Sequence, residues 1–469
     1  MGLRQWQSNC IRSALVKYHG GQRHFLCLAT PAAGKTRMAS TLAALLLQKN
    51  KIDLVLCFSP SVIVATDFQS ALEQQLKLPV DGRLGSKGQS LTYQSMLGQQ
   101  DSFWALFDRY RIFVIFDEIH HCAGDSPFNA NAWGHQIIAR IQGRAAFTLA
   151  LTGTPWRSDR IPISLASYAH DDKVHCDFMY GLQEAVRDNV CRAPAITLVD
   201  NNRIRATQGG EEKIFSSFGD LLKESDCSYQ DVIENEALMT YLLEQSAKKL
   251  RSLRKHHADA AGLIVAASVE HAYKIADSLQ RCTGDTAVVV TYMGDAPQAA
   301  IAAFRTSSEP WIISVGMVSE GTNIPRLRVC CHLTRVKTEL HFRQVLGRIL
   351  RTDGIHHGDS YLYVPAEPSL AEYAGRVIEE IPHTGTLRRN LMPSVLVADD
   401  SNPALPGELA SITINPLQMD FTGTPVPSGA LPMAPPITQG SLLAHYYEAN
   451  INMFGRFKQQ LLTLQRLCA

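Results

Sequence analysis

The stretch Phe25-Leu-Cys-Leu-Ala-Thr-Pro-Ala-Ala-Gly-Lys-Thr36 decides the fold. Its first half, residues 25–30, is a near-continuous apolar run, which is typical of a strand buried on both faces of a parallel sheet. Its second half, Ala29–Thr36, is a loop of small residues. A helical pattern follows, with apolar residues at Met38, Leu42, Leu45 and Leu46. The order strand, small-residue loop and helix predicts a phosphate-binding loop, because backbone N–H groups at a helix N-terminus attract anions.

The chemistry of this loop is carried by Lys35 and Thr36. Small residues at Ala32, Ala33 and Gly34 let the backbone N–H groups turn inward around a phosphate. Lys35 would neutralise the β- and γ-phosphates of a nucleotide, and the Thr36 hydroxyl would bind Mg²⁺. The loop therefore predicts ATP and Mg²⁺ as cofactors.

Ten apolar runs alternate with amphipathic stretches, which predicts an α/β fold with two parallel sheets. The runs are residues 25–30, 54–59, 111–117, 147–152, 195–199, 262–268, 287–292, 311–318, 329–334 and 360–364. They form two groups of five, separated by a polar stretch and by a helical pattern over residues 235–257. We therefore expect a first lobe at 1–200, a connector at 201–257, a second lobe at 258–366 and an extension at 367–469.

Composition excludes several classes of protein. The chain has 45% hydrophobic and 19% charged residues, and it lacks an apolar window long enough to span a membrane. Its 45 Lys and Arg balance 44 Asp and Glu, so any binding to nucleic acid must be local. The cysteines show no zinc-like spacing, and Cys27, Cys57, Cys330 and Cys331 fall in strand-like runs. With no export signal at the start, we expect a reducing, intracellular (cytoplasmic) location.

The last hundred residues differ from the rest. Nine of the 22 prolines lie between Pro393 and Pro436, which predicts a loop-rich linker. Apolar residues then recur every three or four positions from Leu442 to Cys468, which predicts an amphipathic helix. Such a helix would pack on a lobe, or it would dock a partner protein or a second copy of the chain.

An acidic box, Asp117-Glu-Ile-His120, ends the run Ile112–Phe116. Its carboxylates would lie at the carboxyl edge of the sheet, where ligands of α/β proteins bind. Asp117 would hold Mg²⁺, and Glu118 would orient or deprotonate the water that attacks a phosphate. His121 has no assigned role.

Further motifs follow in a fixed order. They are Leu3-Arg-Gln-Trp-Gln7, Ser59-Pro-Ser61, Leu151-Thr-Gly-Thr154, Ser319-Glu-Gly-Thr-Asn-Ile-Pro325 and Gln344-Val-Leu-Gly-Arg-Ile-Leu-Arg351. With the phosphate loop and the acidic box, this series resembles the superfamily 2 DExH/DEAD-like helicases over about three quarters of the chain. The resemblance implies two tandem RecA-like domains and a Pro-rich C-terminal extension ending in a helix. It also implies an ATP hydrolase that binds its nucleotide between the lobes.

The resemblance assigns catalytic roles to the second lobe. Arg348 and Arg351 would be arginine fingers that stabilise transition-state charge, with Gln344 on the same helical face. Gly321 and Asn323 would contact the nucleotide, although Asn323 stands where the family usually has an acidic residue. In the phosphate loop Ala32 departs from the glycine that is common in related motors.

The resemblance assigns the remaining nucleotide contacts to the first lobe. Arg4 and Gln7 would read adenine, because an amide can pair with both hydrogen-bonding edges of the base. His120, Thr152 and Thr154 would couple the state of the nucleotide to closure of the lobes through hydrogen bonds. Solvated polar residues at the start of the chain and a plain Thr-Gly-Thr turn are the alternatives.

Nucleic acid would bind across both lobes by contacts to its backbone, without sequence preference. The family positions for these contacts are Ser59, Ser61, Thr92, Gln94 and Ser268. Each of the hydroxyls could instead cap a helix. A basic cluster at residues 248–257 would add a phosphate-binding face, or it would be an ordinary solvated helix face.

We therefore expect an ATP-dependent helicase or translocase. The DEIHH box and the start of the chain resemble DNA translocases of repair, recombination, restriction or phage (antiviral) defence more than RNA-processing proteins. The alternative is an ATPase switch that binds nucleic acid and recruits or licenses a partner protein without unwinding.

Overall fold

The structure is a computed structural model that describes residues 2–126, 128–154, 161–168, 174–208, 211–294, 296–316, 324–352, 358–379 and 450–464. Within these residues the chain forms two α/β lobes, each built on a mainly parallel sheet. No helix in the described ranges is both long and apolar enough to cross a membrane. Residues 380–449, which include the Pro-rich stretch, lie outside the described residues.

The first lobe carries a six-stranded parallel sheet in the order β3-β2-β4-β5-β1-β8. Its strands are His24–Ala29 (β1), Leu54–Ser59 (β2), Gly88–Thr92 (β3), Ile112–Phe116 (β4), Phe147–Thr152 (β5) and Phe178–Tyr180 (β8). Ser167–Tyr168 (β6) and Val174–His175 (β7) pair only with each other. The helices are Gln5–His19 (α1), Lys35–Gln48 (α2), Val62–Leu76 (α3), Tyr93–Leu97 (α4), Asp101–Trp104 (α5), Leu106–Arg109 (α6), Ala132–Gln136 (α7) and Leu182–Arg187 (α8). A 3-10 turn spans Ile119–His121 and a π-helical turn spans Ile137–Ile141.

Burial explains why the central runs become strands. All five residues of β4 and five of six in β1 are buried, since helices cover both faces of the sheet. Helix α2 presents Met38, Leu42 and Leu46 to this core at helical spacing, and all three are buried. The strand and helix thus hold the intervening loop at the carboxyl edge of the sheet.

The second lobe carries a seven-stranded sheet in the order β13-β14-β12-β15-β16-β9-β18. Its strands are Ala193–Asn201 (β9), Ala261–Ala266 (β12), Ala287–Val290 (β13), Trp311–Ser314 (β14), Leu327–Leu333 (β15), Asp359–Pro365 (β16) and Phe457–Thr463 (β18). Ile204–Gln208 (β10), Glu211–Phe215 (β11) and Asn450–Met453 (β17) form a small antiparallel sheet in the order β11-β10-β17. The helices are Phe218–Glu224 (α9), Tyr229–Ile233 (α10), Glu236–Arg254 (α11), Val269–Thr283 (α12), Pro297–Thr306 (α13), Glu339–Ile349 (α14) and Pro368–Ile378 (α15).

All ten predicted strands are present, but one belongs to the other lobe. Strand β9, which includes the run 195–199, pairs in parallel with β16 of the second sheet. The first lobe therefore ends near residue 192, before the expected boundary at 200. The predicted connector helix is α11, and it packs on β12, β15 and α12 of the second lobe.

The predicted C-terminal helix is wrong over the part of it that the structure describes. Residues 450–463 form β17 and β18 instead, and β18 pairs antiparallel with β9 from Phe457↔Asn201 to Thr463↔Ala195. The reason is long-range pairing: β9 would otherwise be the edge of the sheet, and β18 satisfies its backbone groups. The segment thus packs on the body of the protein, as one of the two alternatives proposed.

The ten cysteines of the described residues are all free thiols, and eight of them are buried. Cys27, Cys57, Cys330 and Cys331 lie in the cores of the two sheets, as predicted. No group of three or more metal-ligating side chains occurs among the described residues.

Candidate functional site

The phosphate loop connects β1 to α2 through two residues with left-handed backbone. Gly34 is the N-cap of α2 at φ +96°, and Ala32 has φ +71°. A residue with a Cβ is disfavoured in this region, whereas glycine adopts it freely. The geometry therefore explains why a glycine is common at the position of Ala32, and why alanine, the smallest residue with a Cβ, is tolerated.

Arg4 and Gln7 brace this loop from α1. The Arg4 guanidinium donates from Nη1 to the carbonyl of Ala33 (2.7 Å), and Gln7 Nε2 donates to the carbonyl of Gly34 (3.0 Å). Gln7 Oε1 accepts the backbone N–H of Arg4 (2.9 Å), and the side chain is buried. Both polar ends of Gln7 are thus engaged in this structure, so the adenine-reading role of Arg4 and Gln7 stays a prediction.

Lys35 joins the loop to the acidic box. Its Nζ lies 3.0 Å from Glu118 Oε1 and donates to the carbonyl of Ala29 (3.2 Å). Asp117 follows β4 and is buried. The Tyr93 hydroxyl donates a hydrogen bond to the backbone carbonyl of Asp117 (2.9 Å). The predicted cation and the two predicted carboxylates therefore meet at one edge of the sheet.

The two carboxylates have opposite electrostatic environments. Burial and the negative charge of Glu118 raise the pKa of Asp117 to about 7, against the opposing effect of Lys35. Burial alone would raise the pKa of Glu118, but the charges of Lys35 and His120 and hydrogen bonds from Lys35 and Gly153 lower it to about 2. Glu118 is therefore ionised at neutral pH and is held in a fixed orientation.

Hydrogen bonds join the Thr-Gly-Thr segment directly to the acidic box. The backbone N–H of Gly153 donates to Glu118 Oε2 (3.1 Å), and His120 Nδ1 lies 3.0 Å from Thr152 Oγ1 and 3.3 Å from Thr154 Oγ1. Thr152 Oγ1 also bonds both the carbonyl (2.8 Å) and the N–H (3.0 Å) of Thr154. These contacts join the acidic box to the Thr-Gly-Thr segment, and the coupling role of His120, Thr152 and Thr154 stays a prediction.

The second lobe touches the phosphate loop through α14. A Cβ placed on Gly347 would lie 2.6 Å from the Pro31 side chain, so only glycine allows this approach. Beside it, Cys191 Sγ donates to the carbonyl of Pro31 (3.6 Å). The two lobes therefore meet at the loop itself.

Gln344 and Arg348 lie on α14 as predicted, but Arg351 does not. The helix ends at Ile349, and Arg351 forms an isolated antiparallel bridge with Cys191. Burial lowers the pKa of Arg351 to about 10, so its guanidinium stays charged at neutral pH, and Asp67 and Glu118 of the first lobe lie close enough to stabilise that charge. Both arginines thus belong to the second lobe, but they lie on different local structures.

The sequence matches one family model and several relatives. Its residues 1–157 match the family "Type III restriction enzyme, res subunit". An uncharacterized protein of Mycobacterium tuberculosis H37Rv, Rv2917, is 31% identical over 419 residues, which are 86% of this chain and 67% of that protein. An uncharacterized protein of Mycobacterium leprae, ML1624, is 31% identical over 399 residues, 81% of this chain and 65% of the relative.

The chain belongs to one family with the Mycobacterium tuberculosis protein, and its fold is like that of the superfamily 2 helicases. Two solved structures share its fold. One is a fragment of a putative HsdR subunit of a type I restriction enzyme from Vibrio vulnificus YJ016, with a TM-score of 0.52 and 15% identity over 80% of this chain and 66% of that one. The other is the ATP-dependent type ISP restriction-modification enzyme LlaBIII bound to DNA, with a TM-score of 0.50 and 14% identity. The chain spans only 30% of LlaBIII, and 82% of the present chain is matched.

Most of the predicted nucleic-acid positions are helix caps. Ser61, Thr92 and Ser268 accept backbone N–H groups at the starts of α3, α4 and α12, respectively. Ser59 is buried, whereas Gln94 is exposed. The hydroxyls therefore have structural partners, and their contacts with nucleic acid stay a prediction.

Three residues of the basic cluster at 248–257 make structural contacts. Arg251 pairs with Asp285 (2.9 Å), Arg254 donates to the carbonyls of Ala260 and Ser308 (both 3.0 Å), and the Lys249 ammonium lies 4.2 Å from the ring centre of Tyr361. These contacts favour the alternative of an ordinary surface helix. Gly321 and Asn323 lie outside the described residues.

One residue near the site, Arg192, lies outside every motif of the sequence. Arg192, next to Cys191, is buried and donates to several backbone carbonyls around the end of α14. A lone arginine before an apolar run gives no signal in the sequence, because its partners are backbone groups more than 130 residues away.

Proposed function

We propose that this superfamily 2 protein is an ATP-dependent helicase or translocase that uses ATP hydrolysis to move on, unwind or remodel nucleic acid. The observation that carries the proposal is the connected chain of contacts across the site. Lys35 of the phosphate loop pairs with Glu118, Glu118 accepts Gly153 N–H, and His120 meets Thr152. Through these contacts, a change at the phosphates would alter the hydrogen bonds of the Thr-Gly-Thr segment.

The residues fit ATP and Mg²⁺ by their chemistry. Gly34 begins a 14-residue helix whose N-terminal N–H groups favour a phosphate, and Lys35 supplies the cation of the loop. Thr36 and Asp117 offer oxygen ligands of the kind that Mg²⁺ prefers. When bound, the metal would neutralise phosphate charge and so assist attack by water. Glu118 would orient that water, and Arg348 and Arg351 would stabilise charge from the second lobe.

DNA is the preferred nucleic acid in this proposal. The match to the type III restriction res subunit supports it, and so does the fold shared with a type ISP enzyme that was solved bound to DNA. Restriction, phage defence and repair are the processes that this similarity favours. Binding through the backbone predicts weak dependence on sequence and an affinity that falls with salt.

The proposal is tested by two assays on the same preparation. ATP hydrolysis is measured with single-stranded DNA, duplex DNA, forked DNA and RNA, and strand displacement is measured on the forked and duplex substrates. We expect hydrolysis to rise most with DNA and displacement to require ATP. Stimulation by RNA alone would contradict the preference for DNA.

The same assays address the alternative of a switch. ATP hydrolysis that DNA stimulates, without strand displacement or movement along a labelled track, would indicate an ATPase that licenses a partner instead of a motor. Absence of nucleotide binding altogether would contradict both functions.

A further inference from the structure

Arg192 occupies the segment that joins the two lobes. It lies between α8 of the first lobe and β9 of the second, with only 2% of its surface exposed. A buried guanidinium needs hydrogen-bond acceptors, because leaving its donors unsatisfied in the interior costs free energy. The acceptors of Arg192 are backbone carbonyls, and their positions in the chain show which segments the side chain connects.

These carbonyls belong to two helicase segments. Arg192 Nη1 donates to Pro325 and Leu327 (3.0 Å each), which flank the entry to β15. The same nitrogen lies 3.5 Å from the carbonyl of Ile349 and bonds the carbonyl of Arg351. One side chain thus ties the residue that ends the Ser319–Pro325 motif to both sides of the end of α14.

The contact with α14 has an electrostatic reason. The last carbonyls of a helix lack intrahelical partners and carry partial negative charge, so a cation there is favourable. The backbone N–H of Arg192 adds a bond to the carbonyl of Leu350 (2.8 Å). Residues 349–351 are therefore fixed at three successive carbonyls by one residue.

The neighbouring residue completes the connection to the first lobe. Cys191 pairs with Arg351 in an antiparallel bridge and donates to the carbonyl of Pro31 in the phosphate loop. The segment 191–192 thus contacts the loop with one residue and the end of α14 with both.

We propose that Arg192 is a positioning residue that sets the place of the Arg351 guanidinium relative to the phosphate loop. The proposal rests on the proposed ATPase function, in which Arg351 stabilises transition-state charge. Arg192 itself would touch no substrate. Its loss would leave ATP binding intact and would misplace Arg351 during hydrolysis.

The matched control is Arg326, a second buried arginine of the same lobe. It donates to the carbonyls of Asp259 (3.0 Å), Phe304 (3.0 Å) and Glu309 (2.8 Å) and to the Ser307 hydroxyl (3.1 Å). Neither α14 nor the phosphate loop is among these partners. Arg326→Lys should therefore reproduce the cost of removing a buried fork of donors without disturbing Arg351.

The experiment compares Arg192→Lys, Arg326→Lys and wild type in nucleic-acid-stimulated ATP hydrolysis at a temperature where all are folded. Lysine keeps the charge, but it lacks the planar guanidinium that places Nη1 among these carbonyls. We expect Arg192→Lys to lower kcat about 10- to 100-fold with KM nearly unchanged, since displacement of a catalytic group by about 1 Å has effects of this size. Arg326→Lys should leave kcat within about twofold of wild type.

A double variant separates positioning from general damage. In an Arg351→Ala background, Arg192→Lys should cause little further loss of kcat, because the group that it positions is gone. Independent, multiplicative losses would overturn the proposal, and so would an unchanged kcat in Arg192→Lys alone. If both Arg192→Lys and Arg192→Gln fail to fold while Arg326→Lys folds, Arg192 is a folding residue and the proposal is wrong.

Binding of ADP with aluminium fluoride distinguishes this proposal from the proposed function. This analogue of the transition state should lose affinity in Arg192→Lys while ADP alone binds as in wild type. A wild-type protein that binds neither would overturn the ATPase function, and this inference with it. Wild-type binding together with equal affinity of Arg192→Lys for the analogue would overturn the inference alone.

Discussion

Glu118 shows how a single residue depends on its partners. It lies in the left-handed region at φ +51°, and its carboxylate is shared by Lys35 and the N–H of Gly153. Strained backbone of this kind persists only where surrounding contacts fix it, and it is common at functional sites. An Asp-Glu pair in an ordinary solvated turn would have no such partners.

We therefore predict distinct effects on binding and chemistry for Glu118→Gln. The amide keeps the shape and can still accept from Gly153, but it carries no charge and is a poor base. ATP affinity should stay within a fewfold of wild type, while kcat should fall by about 10²- to 10⁴-fold. Titration with a fluorescent ATP analogue and a steady-state hydrolysis assay measure the two quantities. Equal losses of both would indicate a structural role for Glu118.

Ala32 gives a second prediction at this scale. Its left-handed backbone costs an alanine about 1–2 kcal/mol, whereas a glycine loses about 0.5–1 kcal/mol through its freer unfolded state. Ala32→Gly should therefore leave the free energy of unfolding unchanged or raise it by up to about 1.5 kcal/mol. The loop should remain active in ATP hydrolysis.

Ala33→Gly is the matched control for this substitution. Ala33 is fully buried and lies outside the left-handed region, so glycine there removes a buried methyl group without relieving strain. Its free energy of unfolding should fall by about 1 kcal/mol. Chemical denaturation of both variants measures the difference, and an equal loss in Ala32→Gly would contradict the strain argument.

At the scale of elements, local pattern predicted strands well and long-range pairing poorly. All ten apolar runs became strands, and most of them are buried along nearly their whole length. The short strand β3 was missed, since Gly88–Thr92 is polar and only partly buried over most of its length. β9 was assigned to the wrong lobe, because its partner β16 lies more than 150 residues away.

The helix predicted for the C-terminal segment is wrong for the same reason, which is long-range strand pairing. Apolar residues at steps of three or four predicted a helix, yet Phe454 and Leu461 of that stripe are exposed. The decisive contacts are the pairing with β9 and the stacking of Phe457 on Tyr241 at 4.4 Å. Neither partner can be recognised from the period of the segment itself.

Deletion from Gly440 should consequently destabilise the protein. The deletion removes β18 and the buried side chains of Met453 and Leu464, and it exposes the edge of β9. Loss of two such side chains corresponds to about 3–6 kcal/mol. We expect the Tm to fall by more than about 5 °C in differential scanning fluorimetry.

A point substitution provides the comparison for this deletion. Leu461→Ala lies on the same strand, but 61% of the leucine is exposed, so its Tm should stay within about 1–2 °C of wild type. An unchanged Tm after the deletion would contradict the role of β18 in the sheet. Loss of self-association without any change in Tm would instead favour a docking segment.

At the scale of the whole molecule, the site is completed by the contact between lobes. The family motifs predicted a nucleotide site between the lobes, and the structure brings Pro31, Gly347 and Arg351 close to one another. The prediction that Arg348 and Arg351 share one helical face is wrong, because α14 ends at Ile349. Arg192 was beyond prediction, since its partners are backbone carbonyls that the sequence does not mark.

Arg348→Ala and Arg351→Ala should each lower kcat by up to about 10³-fold while ADP affinity changes little. The matched control is Arg343→Ala on the same helix, whose guanidinium pairs with Glu339 (2.8 Å). Arg343→Ala should lower stability slightly and leave kcat within a fewfold. Steady-state kinetics with saturating DNA, together with thermal melts, separate the two behaviours. A fall in Tm without a fall in kcat for Arg348 and Arg351 would return both to a structural role.

The central claim is that the Lys35 and Glu118 site hydrolyses ATP in response to nucleic acid. Its most direct test is the rate of phosphate release by wild type and Lys35→Ala, with and without single-stranded and duplex DNA. We predict a wild-type rate that DNA raises at least about tenfold and a rate near background in Lys35→Ala, because the variant loses the cation of the phosphate loop. Hydrolysis by Lys35→Ala at the wild-type rate, or a wild-type rate at background under every condition, would contradict the account.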